Sequence, residues 1–282
     1  MMYELSITNI YGDTLKLSQN PHYSVMSVTG LNPPTSNINT AVNASFDGST
    51  YKSSRMNNRN IVIMMAIEGD IEQNRIELYK YIKSKQKLTV VFSNGTRRVQ
   101  IDGYVDAFEC NLFEQREVVQ ISIICPSPYF LDDTESSTFS SIVGLFEFPF
   151  EIEAEGIEFS YVESNVEINV YNGGDIETGM LIVFKASGQV VNPALYNMQT
   201  NEYIKLNVTM QEGDEIRINT VKGQKSVTKI SGGISTNILN VLDGSSTWLN
   251  LRSGDNVMVF TATTSPENLS CFIYHNNLYE GV

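Results

Sequence analysis

Cysteine, histidine and tryptophan are scarce in this 282-residue chain, at three, two and one. Cys110, Cys125 and Cys271 are odd in number and form no close C-x-x-C pair, so neither a disulfide framework nor a cysteine-rich zinc site is encoded. Their neighbours alternate as in strands, which predicts buried, reduced thiols. His22 and His275 stand near opposite ends, so no local H-E-x-x-H metal motif exists. G-x-x-x-x-G-K-[ST] and G-x-S-x-G patterns are missing too, removing the local signals for a phosphate cradle and a serine nucleophile. Cys271 and His275, four apart on a strand, would share a face but lie more than about 10 Å apart, too far to couple. The expectation is a chain with no cofactor, no metal and no catalytic residues.

Long apolar runs are also missing. A membrane helix needs roughly 18 apolar residues, and the nearest stretch, around residues 142–150, is broken by Glu147 and Pro149. Met1-Met2-Tyr3-Glu4-Leu5-Ser6-Ile7-Thr8 has neither the basic nor the apolar region of a secretory leader. The sequence therefore reads as a soluble protein beginning at Met1, without membrane insertion. For the same reason the N-x-S/T triplets at Asn43, Asn94, Asn207 and Asn268 read as accidental glycosylation patterns.

Basic residues are few: 19 Lys and Arg against 32 Asp and Glu, a formal net charge of -13. Such a balance argues against an outer face that grips nucleic acid, since phosphate binding needs clustered cations. Between Arg116 and Lys185 there is no basic residue, while thirteen acidic ones run from Glu117 to Glu177. That stretch holds a charge equal to the whole net charge.

What is present is strand pattern. A chain of this length suggests two ordinary domains. Tyr3, Leu5 and Ile7 alternate with Glu4, Ser6 and Thr8; Leu15 with Leu17 and Tyr23 with Val25 continue the pattern. Residues 30–59 are polar and rich in Asn, Ser, Thr and Pro, with Pro33-Pro34 and Asp47-Gly48 as turn signals, and read as a long functional loop. Residues 61–67 form an apolar run typical of a strand covered on both faces. After Asp70, an N-cap, Ile71, Arg75, Leu78 and Ile82 recur at helical spacing, with Glu72 in the first turn and Lys83 and Lys85 in the last. Residues 88–92 and 97–105 flank Ser93-Asn94-Gly95-Thr96, a hairpin signal. Val119, Ile121, Ile123 and Cys125 alternate up to the prolines of Cys125-Pro126-Ser127-Pro128-Tyr129-Phe130.

Residues 131–141 are polar and acidic and read as a linker, placing the seam near residue 135. Phe146, Phe148, Phe150, Ile152 and Ala154 then alternate with Glu147, Pro149, Glu151, Glu153 and Glu155, an edge strand whose glutamates make a solvated face. Further short strands follow at 166–171, 181–184, 204–210, 215–219, 257–260 and 269–273, with corners at Asn172-Gly173-Gly174-Asp175, Gly213-Asp214, Asp243-Gly244 and Gly254-Asp255. Many short strands with regular turns mean a β-sandwich. Carboxylates are too numerous for counting to exclude a glycosidase pair. Trp248 either packs at a strand end or stacks on a sugar.

The order of these features resembles the distal tail proteins of siphophages. In the first half the resemblance is carried by Gly30-Leu31-Asn32-Pro33-Pro34, the Asp47-Gly48 loop, Arg59-Asn60-Ile61 before the apolar strand, the helix after Asp70, the strand at 98–105, and Cys125-Pro126-Ser127-Pro128-Tyr129-Phe130. In the second it is carried by Asn172-Gly173-Gly174-Asp175, by Gly213-Asp214-Glu215-Ile216-Arg217-Ile218-Asn219-Thr220, and by Trp248-Leu249-Asn250-Leu251-Arg252-Ser253-Gly254-Asp255-Asn256. Ser253 stands where the family often has proline, and Asn219 where it often has aspartate.

The resemblance implies a mainly β fold: an N-terminal β-sandwich or split-barrel ring domain with one helix, residues 1–135, and a C-terminal galectin-like β-sandwich, residues 136–282. It implies a non-enzymatic hexameric hub at the virion tail tip, assembled in the host cytoplasm. Such a hub joins the tail tube protein to a tail-associated spike or lysin and anchors receptor-binding protein, with the tape measure protein a further partner. DNA would pass the lumen without specific binding, so Lys80, Lys83 and Arg97 should not line it. The loop carrying Leu31, Pro33, Pro34, Phe46 and Tyr51 is the expected inter-subunit contact. A sugar-binding module using Trp248 is the alternative, although the H-x-N-P-R and W-G-x-E strands of galectin sugar sites are missing; a cell-wall hydrolase would rest on unassigned carboxylates alone.

Overall fold

The computed structural model describes residues 3–42, 44, 45, 47–112, 116–132, 143, 144, 160, 161 and 167–282. The chain divides into two compact units, the first made of Met1–Thr134 with Leu278–Val282, the second of Glu135–Asn277. Both are built mainly from antiparallel strands, and none of the helices among the described residues is long and apolar enough to cross a membrane.

In unit 1 the strands are β1 (Glu4–Asn9), β2 (Thr14–Lys16), β3 (Tyr23–Thr29), β4 (Ser36–Val42), β5 (Ser49–Met56) and β6 (Arg59–Ile67). Helix α1 (Ile71–Tyr81) follows, then β7 (Lys87–Ser93), β8 (Arg98–Cys110), β9 (Val118–Cys125) and β10 (Phe130–Asp132). The main sheet runs β2-β1-β7-β8-β9-β6-β3, with β10 paired to β8. Alternation decides which side faces inward: Leu5 and Ile7, Leu88 and Val90, Ile61, Ile63 and Met65, and Val119, Ile121 and Ile123 share one buried cluster. Strand β8 is long enough to change neighbours, pairing β7 through Arg98–Tyr104 and β9 from Tyr104 onward, with a bulge between Val105 and Ala107. Gly103 permits this crossing, because a Cβ there would lie 2.4 Å from the Ile123 side chain.

Helix α1 starts where Asp70 accepts a hydrogen bond from the Gln73 amide, as a capping carboxylate should. It stops at Tyr81, short of Lys83 and Lys85, so Lys80 is the basic residue of its last turn. Its buried side holds Asn74 as well as Leu78; Asn74 donates to the Glu68 carbonyl at 2.7 Å, and its own carbonyl accepts from the Tyr23 hydroxyl at 3.0 Å.

Two sequence readings need correction here. Residues 30–59 are not a loop: β4 and β5 pair along their length as a two-stranded ribbon, separate from the main sheet. Alternation was obscured because Ser, Thr and Asn occupy most of the ribbon, and the register shifts between Asn39 and Thr40, leaving Lys52 as the extra residue of β5. The stretch read as a linker also begins with a strand, β10, whose Phe130 is buried in the first core. The alternating strand at 146–155 lies outside the described residues, as do all the acidic residues between 133 and 166.

In unit 2 the strands are β11 (Val143–Gly144), β12 (Ser160–Tyr161), β13 (Glu167–Asn172), β14 (Met180–Ala186), β15 (Val190–Val191), β16 (Ala194–Asn197) and β17 (Glu202–Lys205). They continue as β18 (Thr209–Met210), β19 (Glu215–Asn219), β20 (Ser226–Ser231), β21 (Ile234–Asn237), β22 (Gly254–Thr261) and β23 (Leu269–His275). A four-stranded sheet, β13-β22-β16-β17, and a five-stranded sheet, β21-β20-β19-β14-β23, share one apolar cluster. Ile168, Leu195 and Met258 come to it from the first sheet and Ile182, Phe184, Ile216 and Ile273 from the second. The run at 204–210 is divided between β17 and β18, which belong to different sheets.

Buried asparagines close one end of the sandwich. Asn172 donates to the carbonyls of Ile176 and Leu251 and accepts from the Gly174 amide; Asn256 donates to Val170, Arg252 and Gly254 and accepts from the Arg252 amide. Both are 0 % exposed, so every amide atom is accounted for where water cannot reach. Ser253 donates to the Gly174 carbonyl at 2.6 Å, and the Asn219 side chain accepts from the Val221 amide, so both departures from the family pattern serve turns.

The chain then leaves unit 2 and forms β24 (Leu278–Tyr279), which pairs with β10. A division at residue 135 that assigns everything downstream to the second domain therefore misses Leu278–Val282, which belong to unit 1. Two residues of strand are too short to show a period in sequence.

Asp214, 4 % exposed, accepts from the Gln211 amide at 2.8 Å and from Lys229 Nζ at 2.6 Å. Burial pushes its pKa up, but the Gln211 amide and Lys229 more than offset this and hold it below the usual carboxylate range. Its contribution is thus present above the unfolded pKa of about 3.9 and lost as pH falls through the lower folded value. Asp214→Asn should lower unit 2 stability at pH 7 by about 1.5 to 3 kcal/mol. Thermal denaturation followed from pH 7 to pH 3 should also show a shallower acid loss than in the parent.

Candidate functional site

The described residues hold no group of three or more His, Cys, Asp or Glu side chains placed to bind a metal. The features that stand out are instead an unpartnered ribbon and the clasp at its root.

On the ribbon, Ile38 faces Ser54, Thr40 faces Tyr51 and Val42 faces Ser49 across the strands. Side chains of paired residues and of every second residue lie on the same side. One face therefore carries Ile38, Tyr51 and Val42, which are 59 %, 60 % and 84 % exposed. The other carries Asn37, Asn39 and Ala41 with Arg55, Ser53 and Thr50. This is an amphipathic ribbon whose apolar side no described residue of unit 1 covers.

At its root sits Arg59, the first residue of β6 and only 2 % exposed. Its Nε donates to the Pro128 carbonyl at 2.8 Å, one terminal nitrogen to Gly30 and Asn32, and the other to Glu280 at 2.6 Å. The guanidinium lies 4.3 Å from the Phe130 ring centroid. Four backbone carbonyls from three separate segments thus converge on one cation. Burial lowers the Arg59 pKa, with Cys125 and Glu280 acting in the opposite direction; the group stays charged because arginine starts so high. Arg97 makes a second clasp: it donates to the Gly281 carbonyl at 2.8 Å and stacks 4.1 Å from the Tyr279 centroid.

The structure divides the residues expected on an inter-subunit loop. Leu31 and Pro34 are half-buried at the ribbon root, Leu31 against the first core and accepting from the Val282 amide. Pro33 lies beside Gly281. Tyr51 is on the exposed apolar face, and Phe46 lies outside the described residues. Ile38 and Val42 were missed although Ile38, Thr40 and Val42 alternate, because three residues are too few to outweigh a polar composition. Arg59 stood within a family-like motif, but its role depends on partners as distant as Glu280 and could not be read from spacing.

Trp248 is half-buried at the edge of the second core, with Lys225 Nζ 5.2 Å from its ring, so the indole is packed on one side and capped by a cation on the other. Cys271 and His275 are both buried on β23. Burial pushes the Cys271 thiol far up and lowers the His275 pKa, leaving both uncharged. Cys125 is likewise pushed up by burial, to about 11, against the pull of Arg59.

Residues 173–277 match the family model described as siphovirus-type tail component, C-terminal domain. The match lies within unit 2, and over it the chain is similar to the siphovirus tail components. The matched region begins directly after Asn172 and ends where the chain leaves unit 2. No curated protein matches the chain in sequence. Among solved structures, the Dit protein of phage SPP1, described as a paradigm of the hub adsorption apparatus in phages infecting Gram-positive bacteria, is similar over 97% of this chain and 98% of its own, with TM-score 0.68 and 13% identity. A chain of the phage p2 baseplate in its activated conformation with calcium is similar over 100% of both, with TM-score 0.55 and 12% identity. The siphovirus tail component match and the full-length likeness in fold together support a siphophage distal tail protein.

Gly30, whose carbonyl Arg59 holds, has φ +85 and a Cβ there would lie 2.1 Å from the Asn60 carbonyl oxygen. Gly30→Ala should destabilise unit 1 by about 3 kcal/mol or more, the sum of left-handed strain and a backbone clash. Chemical denaturation monitored by circular dichroism checks this.

Proposed function

We propose that the chain is the self-assembling hub of a siphophage tail tip. In this reading unit 1 closes a six-membered ring around the channel for DNA, and unit 2, a galectin-like sandwich, stands at its periphery. The hub joins the tail tube to a spike or lysin, offers attachment to receptor-binding and tape measure proteins, and performs no catalysis.

The observation that carries the reading is the amphipathic ribbon. A two-stranded sheet alone is marginal in water, and exposed apolar faces of this kind mark sites of association. A face holding Ile38, Val42 and Tyr51 has a reason to persist if a neighbouring subunit covers it. A ribbon docked on a different surface of the next subunit makes a heterologous contact, the type that generates closed rings when the rotation is right. The family of residues 173–277 and the fold shared with the SPP1 protein supply the setting, a phage tail.

The test is mass in solution. The intact chain should run at six times its 31.5 kDa. Changing Ile38→Ser, Val42→Thr and Tyr51→Ser together should raise the concentration needed for assembly at least about 100-fold, since each buried side chain of this size is worth roughly 1.5 to 3 kcal/mol. A hexamer that survives replacement of residues 37–55 by a short glycine-serine turn would refute the ribbon's role.

A further inference from the structure

The ribbon is joined to unit 1 by two short connections, residues 30–35 and 57–58. Three successive carbonyls of the first are held: Gly30 and Asn32 by Arg59, and Leu31 by the amide of Val282 at 3.2 Å. The second is tied to the first by the Asn57 amide, which donates to Thr35 at 3.1 Å. Residues 278–282 are therefore not a passive tail. They contact the ribbon root directly through Val282 and Gly281, and indirectly through Arg59, whose remaining terminal nitrogen binds Glu280.

The segment is itself well anchored. Tyr279, 8 % exposed, enters the first core; Phe130 pairs with Tyr279 and Leu131 with Leu278; Arg97 holds both the Tyr279 ring and the Gly281 carbonyl. In sequence this strap is reached only after the whole of unit 2.

We propose that residues 278–282 are a strap that licenses self-association by fixing the direction in which the ribbon leaves unit 1. With the strap seated, the carbonyls at 30–32 are all bound and the ribbon projects along one line. With it absent, Arg59 loses a partner and Leu31 another, and the ribbon samples many directions, so docking must offset a larger ordering entropy. Because the strap follows unit 2 in the chain, a growing polypeptide exposes its ribbon before it can aim it. Assembly is thereby deferred until unit 2 has been made, which keeps half-made chains from entering a ring. The inference rests on the ribbon being the self-association element.

The experiment uses the full chain and three changes to it. A chain stopped after Asn277 should need at least ten-fold higher concentration to assemble, with the thermal transition of unit 2 unmoved. Hydrogen exchange should rise at residues 31–36 and 57–58 but not in β6 or β9. Assembly by the stopped chain at the parent's concentration overturns the proposal. Should exchange rise throughout unit 1 instead, a milder pair decides. Arg97→Leu loosens the strap, and Pro33→Cys with Gly281→Cys, in a Cys110→Ser background, relocks it, because residue 281 packs directly against residue 33, a Cβ built at 281 lying 3.0 Å from Pro33 Cδ. The combined variant should assemble when oxidised and lose assembly on reduction, and indifference to oxidation overturns the proposal. Persistence of the ring after ribbon replacement condemns the ribbon reading itself, and is thus told apart from failure of the strap.

Discussion

A guanidinium withdrawn from water needs partners for its donors, and Arg59 finds them in four backbone carbonyls. The consequence reaches across unit 1. Removing any one of the segments that end on Arg59 leaves a buried cationic donor unfilled, so the turn at Gly30, the stretch before β10 and the strap after β24 stand or fall together. A carboxylate partner would have bound the charge locally. Carbonyls, one or two per segment, bind it to chain trace, and so convert a single side chain into a joint among regions 29, 69 and 221 residues away.

Unit 2 solves a comparable problem without charge. Asn172 and Asn256 serve as neutral brackets, each satisfying backbone groups at a corner where strands β13 and β22 have no further ladder. The fold is shared with solved structures at only 12 to 13% identity. Core positions accept any apolar residue of similar volume, whereas a corner whose amide atoms are all used accepts few replacements.

Much of this architecture is legible in the sequence. Periods of two placed β1 and β9, an unbroken apolar run placed β6, Asn94-Gly95 placed β7 and its turn into β8, and Asp70 placed the start of α1, because each depends on residues close in the chain. The ribbon was not legible, since its two strands are polar on one face and its apolar face has one member on β5 and two on β4. Neither was the strap, whose only identity lies in what it touches. Tyr51 could be singled out as an exposed aromatic, but Ile38 and Val42 gain meaning only when the cross-strand register brings them beside it. Trp248 looked like a candidate platform by residue type; its packing and the lysine above it could be known only from the fold.

The extra residue at Lys52 has a wider significance. A ribbon with two free edges could recruit identical ribbons side by side, and growth of that kind has no natural end: it yields fibrils. The shift in register between Asn39 and Thr40 breaks the regular ladder of β5, and a bulged, positively charged position is poor ground for another strand. The same irregularity that hid the ribbon from a reading of periodicity thus disfavours its growth by edge pairing.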